Sequence, residues 1–213
     1  MSSLEIGNLT PGKIIKNLIL VIFGVLCYLS TVRGLRCLKC SSITEPRLCT
    51  ELETCQSGEI CGVRYLRSDN GDFSYWTGCV PQTSCVSVDT SGVVIGKRTS
   101  YYDNEVICQH CCSSDLCNSQ GCGALGYPTD RGPLCYECTN LAEPASCHKI
   151  AICNHNEKCY VGTESHFGQL YYTTRCETRH ACTALDHANP LGRRAVACKH
   201  CCAGDLCNAG CTG

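Results

Sequence analysis

The sequence predicts a small, disulfide-rich, all-β protein made of two tandem domains. Three observations carry this reading. Of 213 residues, 25 are cysteine. Twenty-four of these form a ladder that occurs twice, from Cys37 to Cys122 and again from Cys135 to Cys211. The segments between the rungs are short, β-prone and turn-rich, and none reads as a long amphipathic helix.

The two copies can be set rung against rung. In each, the first intervals are two, eight, five and five residues. A long interval follows (17 residues, then 16 in the second copy), then five, then a variable one of 22 or 15. Both copies close on C-x2-CC-x4-CN. Such a series marks a duplicated scaffold of paired thiols, and cysteine this dense belongs to an oxidising, extracellular setting. Each repeat is short enough that covalent staples supplement a thin core. A native disulfide in a domain of this size contributes about 2–5 kcal/mol.

The one unmatched cysteine, Cys27, lies in the apolar run Leu18 to Leu29, which follows Lys13 and Lys16. This reads as a secretory signal over residues 1–34, with Val32 and Gly34 at the minus-three and minus-one positions. The mature chain is expected to begin Leu35-Arg36-Cys37. A membrane anchor needs about 20 apolar residues, more than Lys16 and Arg33 leave between them. Thr212-Gly213 follow the last cysteine with no spacer and no apolar tail, so no lipid anchor is expected. The N-x-S/T triplet Asn8-Leu9-Thr10 falls within the signal. Net charge is −1, with no basic stripe for nucleic acid or anionic lipid.

The domains are read as 35–122 and 134–213, joined by the cysteine-free, Gly- and Pro-rich linker 123–133. Within each, the rungs bracket three variable segments. The first contains Glu45-Pro46 or Glu143-Pro144. The second is a hairpin: Val63 to Leu66 and Phe73 to Trp76 flank Asp69-Asn70-Gly71, with its counterpart turning near Phe167-Gly168. The third runs from Val86 to Ile107, or from Thr183 to Ala197.

The opening C-x2-C, the hairpin-bearing interval and the close Cys111-Cys112-x4-Cys117-Asn118, echoed by Cys201-Cys202-x4-Cys207-Asn208, resemble the lymphocyte-antigen/urokinase-receptor (LU) family of three-finger domains. Spacing alone leaves connectivity open. The resemblance implies Cys37–Cys61, Cys40–Cys49, Cys55–Cys79, Cys85–Cys111 and Cys112–Cys117. In the second domain it implies Cys135–Cys159, Cys138–Cys147, Cys153–Cys176, Cys182–Cys201 and Cys202–Cys207. It leaves Cys108 with Cys122 and Cys198 with Cys211, pairs beyond the usual ten-cysteine pattern that are similar to secreted molluscan-type members. It also implies that Asn118 and Asn208 lock the C-terminal segment to the core, using both ends of the amide. Asp115 and Asp205 are expected to satisfy backbone within their own turns.

Catalysis and metal binding find little support. The tracts Cys108-x-His110-Cys111-Cys112 and Cys198-x-His200-Cys201-Cys202 have zinc-ligand chemistry, but in an oxidising compartment their thiols pair. Cys111–Cys117 and Cys201–Cys207 enclose an aspartate and no histidine that would activate water. No cofactor is implied. The fingers are the remaining surface. Tyr65, Arg67 and Trp76 in finger two of domain 1, Tyr171 and Tyr172 in its counterpart, and Arg193 and Arg194 in finger three are the residue types enriched at binding hot spots. Trp76 leads, because period two puts it on the opposite strand face from Phe73 and Tyr75.

The expected function is that of a secreted, non-enzymatic binding module for an extracellular or cell-surface protein. A matrix component and a soluble inhibitor of a secreted enzyme are the alternatives. Intact mass before and after reduction should show a chain starting near Leu35 with all 24 remaining cysteines in disulfides. A free thiol in the unreduced form would overturn the pairing.

Overall fold

The computed structural model describes residues 34–85, 105–188 and 198–211. The expected signal, apart from Gly34, and Arg193 and Arg194 lie outside the described residues. Domain 1 contains β1 (Arg36–Leu38), β2 (Cys40–Ile43), β3 (Leu52–Thr54), β4 (Glu59–Arg67), β5 (Phe73–Pro81) and β6 (Glu105–Cys112). Domain 2 repeats the order with β7 (Leu134–Tyr136), β8 (Cys138–Leu141), β9 (Ile150–Ile152), β10 (Glu157–His166), β11 (Gln169–Thr178) and β12 (Lys199–Cys202). β1 pairs with β3, and β7 with β9. The larger sheets run β2-β5-β4-β6 and β8-β11-β10-β12, antiparallel throughout. These are two tandem three-finger domains.

Local chemistry explains several elements. Pro46 and Pro144 open short 3-10 turns at the tip of finger one, where a fixed φ is useful and the missing N–H costs nothing. Ser42 (φ 60°) and Asn140 (φ 57°) sit where the pairing of β2 with β5, and of β8 with β11, shifts register. In finger two of domain 1, Asn70-Gly71 lies inside a longer loop closed by Gly71 N–H to Ser68 O (2.9 Å) and Asp72 N–H to Ser68 Oγ (3.1 Å). In domain 2 the turn is two residues, Phe167 (φ 52°) and Gly168 (φ 82°), with His166 opposite Gln169. Positive φ at both centres is what the right-handed twist of a two-residue hairpin demands.

One element departs from the sequence reading. Finger three of domain 2 leaves β11 as a helix, α1 (Arg179–Ala188). Thr178 Oγ1 accepts from Ala181 N–H at 3.2 Å, a side-chain cap, and alanines at 181, 184 and 188 favour helix. The fully buried Cys182, bonded to Cys201, fixes this helix to β12.

The core is largely cystine. Cys37–Cys61 ties β1 to β4, and Cys55–Cys79 ties the exit of β3 to β5. Cys37 Sγ lies 3.0 Å from Cys55 Sγ, so the two bridges pack directly on each other. Cys135–Cys159 and Cys153–Cys176 repeat this at 2.9 Å. Cys40–Cys49 and Cys138–Cys147 close finger one. Cys85–Cys111 roots finger three of domain 1. Cys112–Cys117 and Cys202–Cys207 close the C-terminal knuckles, while Cys108–Cys122 and Cys198–Cys211 bind the tails to β6 and the start of β12.

The knuckles hold the polar centre. Asn118 is fully buried: its Oδ1 accepts from Leu38 N–H, and its Nδ2 donates to Leu38 O and Gly62 O, all at 3.0–3.1 Å. Asn208 makes the same bonds to Tyr136 N–H, Tyr136 O and Tyr160 O. Each amide joins a small-sheet strand to the large sheet. Asp115 and Asp205 act differently from the turn role expected of them. Asp115 accepts from the Arg36 backbone N–H (2.8 Å) and pairs with the Arg36 guanidinium. Asp205 accepts from Leu134 N–H (2.9 Å) and pairs with Arg131. The reason is geometric: the intervening Leu116 (φ 58°) and Leu206 (φ 53°) turn left-handed, and their N–H groups bond Arg36 O and Leu134 O.

Asn118→Ala leaves two buried carbonyls and one buried N–H unpaired, each costing about 1–3 kcal/mol. Denaturant unfolding of the secreted variant should show a loss of at least about 3 kcal/mol, with reduced yield. Wild-type stability would contradict the role given to the amide.

Candidate functional site

Finger two of domain 1 has two distinct faces. On one, Tyr65 stacks on Phe73 (5.3 Å between centroids) and tilts against Tyr75 (4.7 Å), and Tyr75 Oη donates to Cys122 O at 3.2 Å. On the other, Trp76 stands opposite Arg64, whose guanidinium lies 4.7 Å over its ring. Arg64 Nε in turn donates to Gln109 Oε1 at 2.8 Å. The indole rests on Gly78, where a Cβ would meet Trp76 at 2.7 Å. Trp76 is half-buried, its ring pre-set between a cation and bare backbone. Arg67 is exposed and paired with Glu105.

The counterpart finger divides its aromatics otherwise. Tyr160 is buried under Arg175, 4.8 Å from its ring, and leans over Gly162. Tyr171 and Tyr172 are half-buried on β11, and Tyr171 Oη donates to Gln169 Oε1 at 2.6 Å. Phe167 is fully exposed at the tip, with Leu170 partly so. Because pairing continues to His166 and Gln169, this tip is held by ladder to its last residue. His110 is exposed on β6 and its Nδ1 accepts from Cys122 N–H (3.2 Å); His200 is half-buried on β12. The sulfurs beside His110 belong to the Cys108–Cys122 bridge. The sequence-derived candidates thus divide among separate places: Tyr65 and Trp76 on opposite faces of one hairpin, Arg67 near its tip, Tyr171 and Tyr172 on another hairpin.

Sequence reasoning missed the junction between the domains. Leu52 N–H donates to His148 O (2.7 Å), and Ile150 N–H donates to Thr50 O (2.8 Å), with Glu51 opposite Lys149. Leu38, Leu52, Leu116, Leu134, Tyr136, Ile150 and Leu206 form one apolar cluster drawn from both domains. Beside it, Arg36 donates to Tyr136 Oη, and the linker residue Arg131 grips Asp205. A cavity of about 300 Å³ lies here, lined by residues of both knuckles and by Tyr127. The Tyr127 hydroxyl is buried without a hydrogen-bond partner, and burial pushes its pKa up to about 12. Hydrogen bonding from Arg131 holds Asp205 below its ordinary range. Backbone bonds between strand edges have no side-chain signature, which is why no motif announced them.

The sequence matches the u-PAR/Ly-6 domain over residues 33–120 and again over 132–210. The chain belongs to the u-PAR/Ly-6 domain family. Such domains are extracellular and typically act as binding modules for extracellular or cell-surface proteins, and the family is generally non-enzymatic. Among solved structures, a crystal structure of mouse TEX101 matches at 20% identity over 80% of this chain and 99% of that one, with a TM-score of 0.23. A comparison with curated proteins gives no match. No helix among the described residues is long and apolar enough to cross a membrane.

The tyrosine at the u-PAR/Ly-6 junction supplies a prediction with a definite sign. A phenol ionising near 10 when unfolded and near 12 when folded keeps more protons in the native state, so stability should fall as pH rises from about 10 to 12. Tyr127→Phe removes this linkage and an unpaired hydroxyl. At neutral pH it should be neutral to about 1 kcal/mol more stable, and between pH 10 and 12 it should lose less stability than wild type. Chemical denaturation across that range checks both, and a variant destabilised at neutral pH would show that the hydroxyl is bonded after all.

Proposed function

We propose that this protein is a secreted, non-enzymatic recognition module that presents stiff β-fingers to an extracellular or cell-surface protein. The observation that carries the reading is the second finger of each domain. Both are long antiparallel hairpins rooted in crossed disulfides, and both hold aromatic side chains with part or all of the ring in water. Ordering such a surface on binding costs little, because the disulfides and the ladder have already ordered it. Trp76 with Arg64, and Phe167 with Tyr171, are the contact residues of this reading.

Capture of partners from native extracellular fluid, followed by mass spectrometry, identifies what binds. Two substitutions then test the surface. Trp76→Ala should weaken binding by about 2 kcal/mol or more, the loss expected of a hot spot, while secretion stays intact. Phe167→Ala, at a position with no packing role, should weaken binding with no effect on folding. Retention in insoluble matrix with no soluble partner would overturn the reading. So would full partner binding by both variants. If Trp76→Ala alone abolishes secretion, its ring is core and the contact rests on Phe167.

A further inference from the structure

The junction between the domains is a local two-fold. Cys49 corresponds to Cys147 in the duplicated ladder, so Thr50, Glu51 and Leu52 correspond to His148, Lys149 and Ile150. The hydrogen bond from Leu52 N–H to His148 O and that from Ile150 N–H to Thr50 O are therefore the same bond exchanged between copies. Glu51 stands antiparallel to its own counterpart, Lys149, at the axis. This is an isologous interface between two domains of one chain.

Direction follows from the pairing. Chain β3 returns from the tip of finger one toward the base of domain 1, and β9 does the same in domain 2. An antiparallel junction makes these returns run in opposite senses. In domain 1, β2 and β5, β4 and β5, and β4 and β6 are antiparallel, as are β8 and β11, β10 and β11, and β10 and β12 in domain 2, so the three fingers of each leave their base side by side. The cavity at the junction adds an independent observation. It is lined by corresponding base residues of both domains: Arg36 and Leu134, Asp115 and Asp205, Leu116 and Leu206. The bases face one another and the fingers point apart.

We infer that the protein is a two-ended bridge, contacting one partner molecule at the fingers of each domain and not a single partner in a composite site. This rests on the reading of the fingers as contact surfaces. The ends also differ in chemistry. Finger two of domain 1 ends in a polar turn carrying Asp69 and Asp72, suited to a partner surface with basic groups. Finger two of domain 2 ends in the exposed Phe167 and Leu170, with no Lys or Arg from Cys159 to Thr174, suited to an apolar recess.

Two measurements on the full secreted chain test this. The first is a distance between spin-labelled unnatural residues at Asn70 and Phe167. Strands of this length reach about 30 Å each, so divergent tips should lie on the order of 50–60 Å apart. Side-by-side fingers would place them roughly one domain width, about 25 Å, apart, and that result would overturn the inference while leaving finger recognition untouched. The second uses p-benzoylphenylalanine at Asn70, at Phe167, or at both, photo-cross-linked in native extracellular fluid. Each single label should yield one adduct, with a different protein at each end, and the double label should yield a ternary adduct. One protein joined at both positions in a one-to-one adduct overturns the bridge. No adduct at either position overturns finger recognition itself, and the bridge with it.

Discussion

Crossed disulfides at the base of each domain bear the load that a hydrophobic core carries in a larger protein. Cys37–Cys61 lies against Cys55–Cys79, and Cys135–Cys159 against Cys153–Cys176, with sulfur atoms of neighbouring bridges about 3 Å apart. A repeat of this size buries too little apolar surface to fold securely on burial alone. The packed bridges replace that surface and also remove freedom from the unfolded chain. The consequence reaches the fingers. With β1, β3, β4 and β5 bolted together at one end, the outer halves of the hairpins need no second layer, and their side chains are released for other uses.

How much of this was legible in the sequence depended on whether the signal was local. The repeated intervals announced two domains, and the family resemblance of the terminal C-x4-CN implied an asparagine that locks the C-terminal segment to the core. Asn118 and Asn208 are found fully buried, each bonded to one strand of the small sheet and one of the large. The pairing of cysteines came from family likeness, because spacing admits many solutions. What escaped was non-local. Asp115 looked like a turn residue because its partner, Arg36, is 79 positions away. Helix α1 escaped because it is short, tied to β12 by the Cys182–Cys201 bridge and capped by Thr178, neither of which leaves a long periodic pattern. The turn near Phe167-Gly168 was legible from its glycine, but not that Phe167 itself takes a positive φ, a conformation disfavoured for an aromatic; the hairpin register imposes it, with Gly168 taking the second positive φ.

Charge at the two-fold axis gives the duplication a direction. If each domain met a second copy of itself through this edge, residue 51 would oppose residue 51, Glu against Glu, and residue 149 would oppose residue 149, Lys against Lys. Directly opposed like charges weaken strand pairing, and opposite charges strengthen it by about 0.2–1 kcal/mol. The chain instead places Glu51 against Lys149. The same bias appears beside it, where Arg36 reaches Tyr136 Oη; the position corresponding to Tyr136 in domain 1 is Leu38, which has no hydroxyl to offer. Both differences favour the pairing of domain 1 with domain 2 over either domain with itself.

An edge strand left open is a site for unwanted pairing, and natural sheets cover or charge such edges. Here each domain occupies the start of the other's edge strand, so one pair of reciprocal bonds reduces both liabilities. That coverage also constrains function. Where Leu52 and Ile150 are bonded to the sister domain, at the start of β3 and β9, the edge cannot accept a partner's strand. Contact is directed to the finger faces and tips, where side chains rather than backbone groups select the partner. The two tips differ most in this respect: the disulfide framework repeats, while an aspartate-bearing turn at one end is replaced by a bare phenyl ring at the other. A repeated disulfide framework with unlike tips is what a two-ended molecule with unlike partners requires.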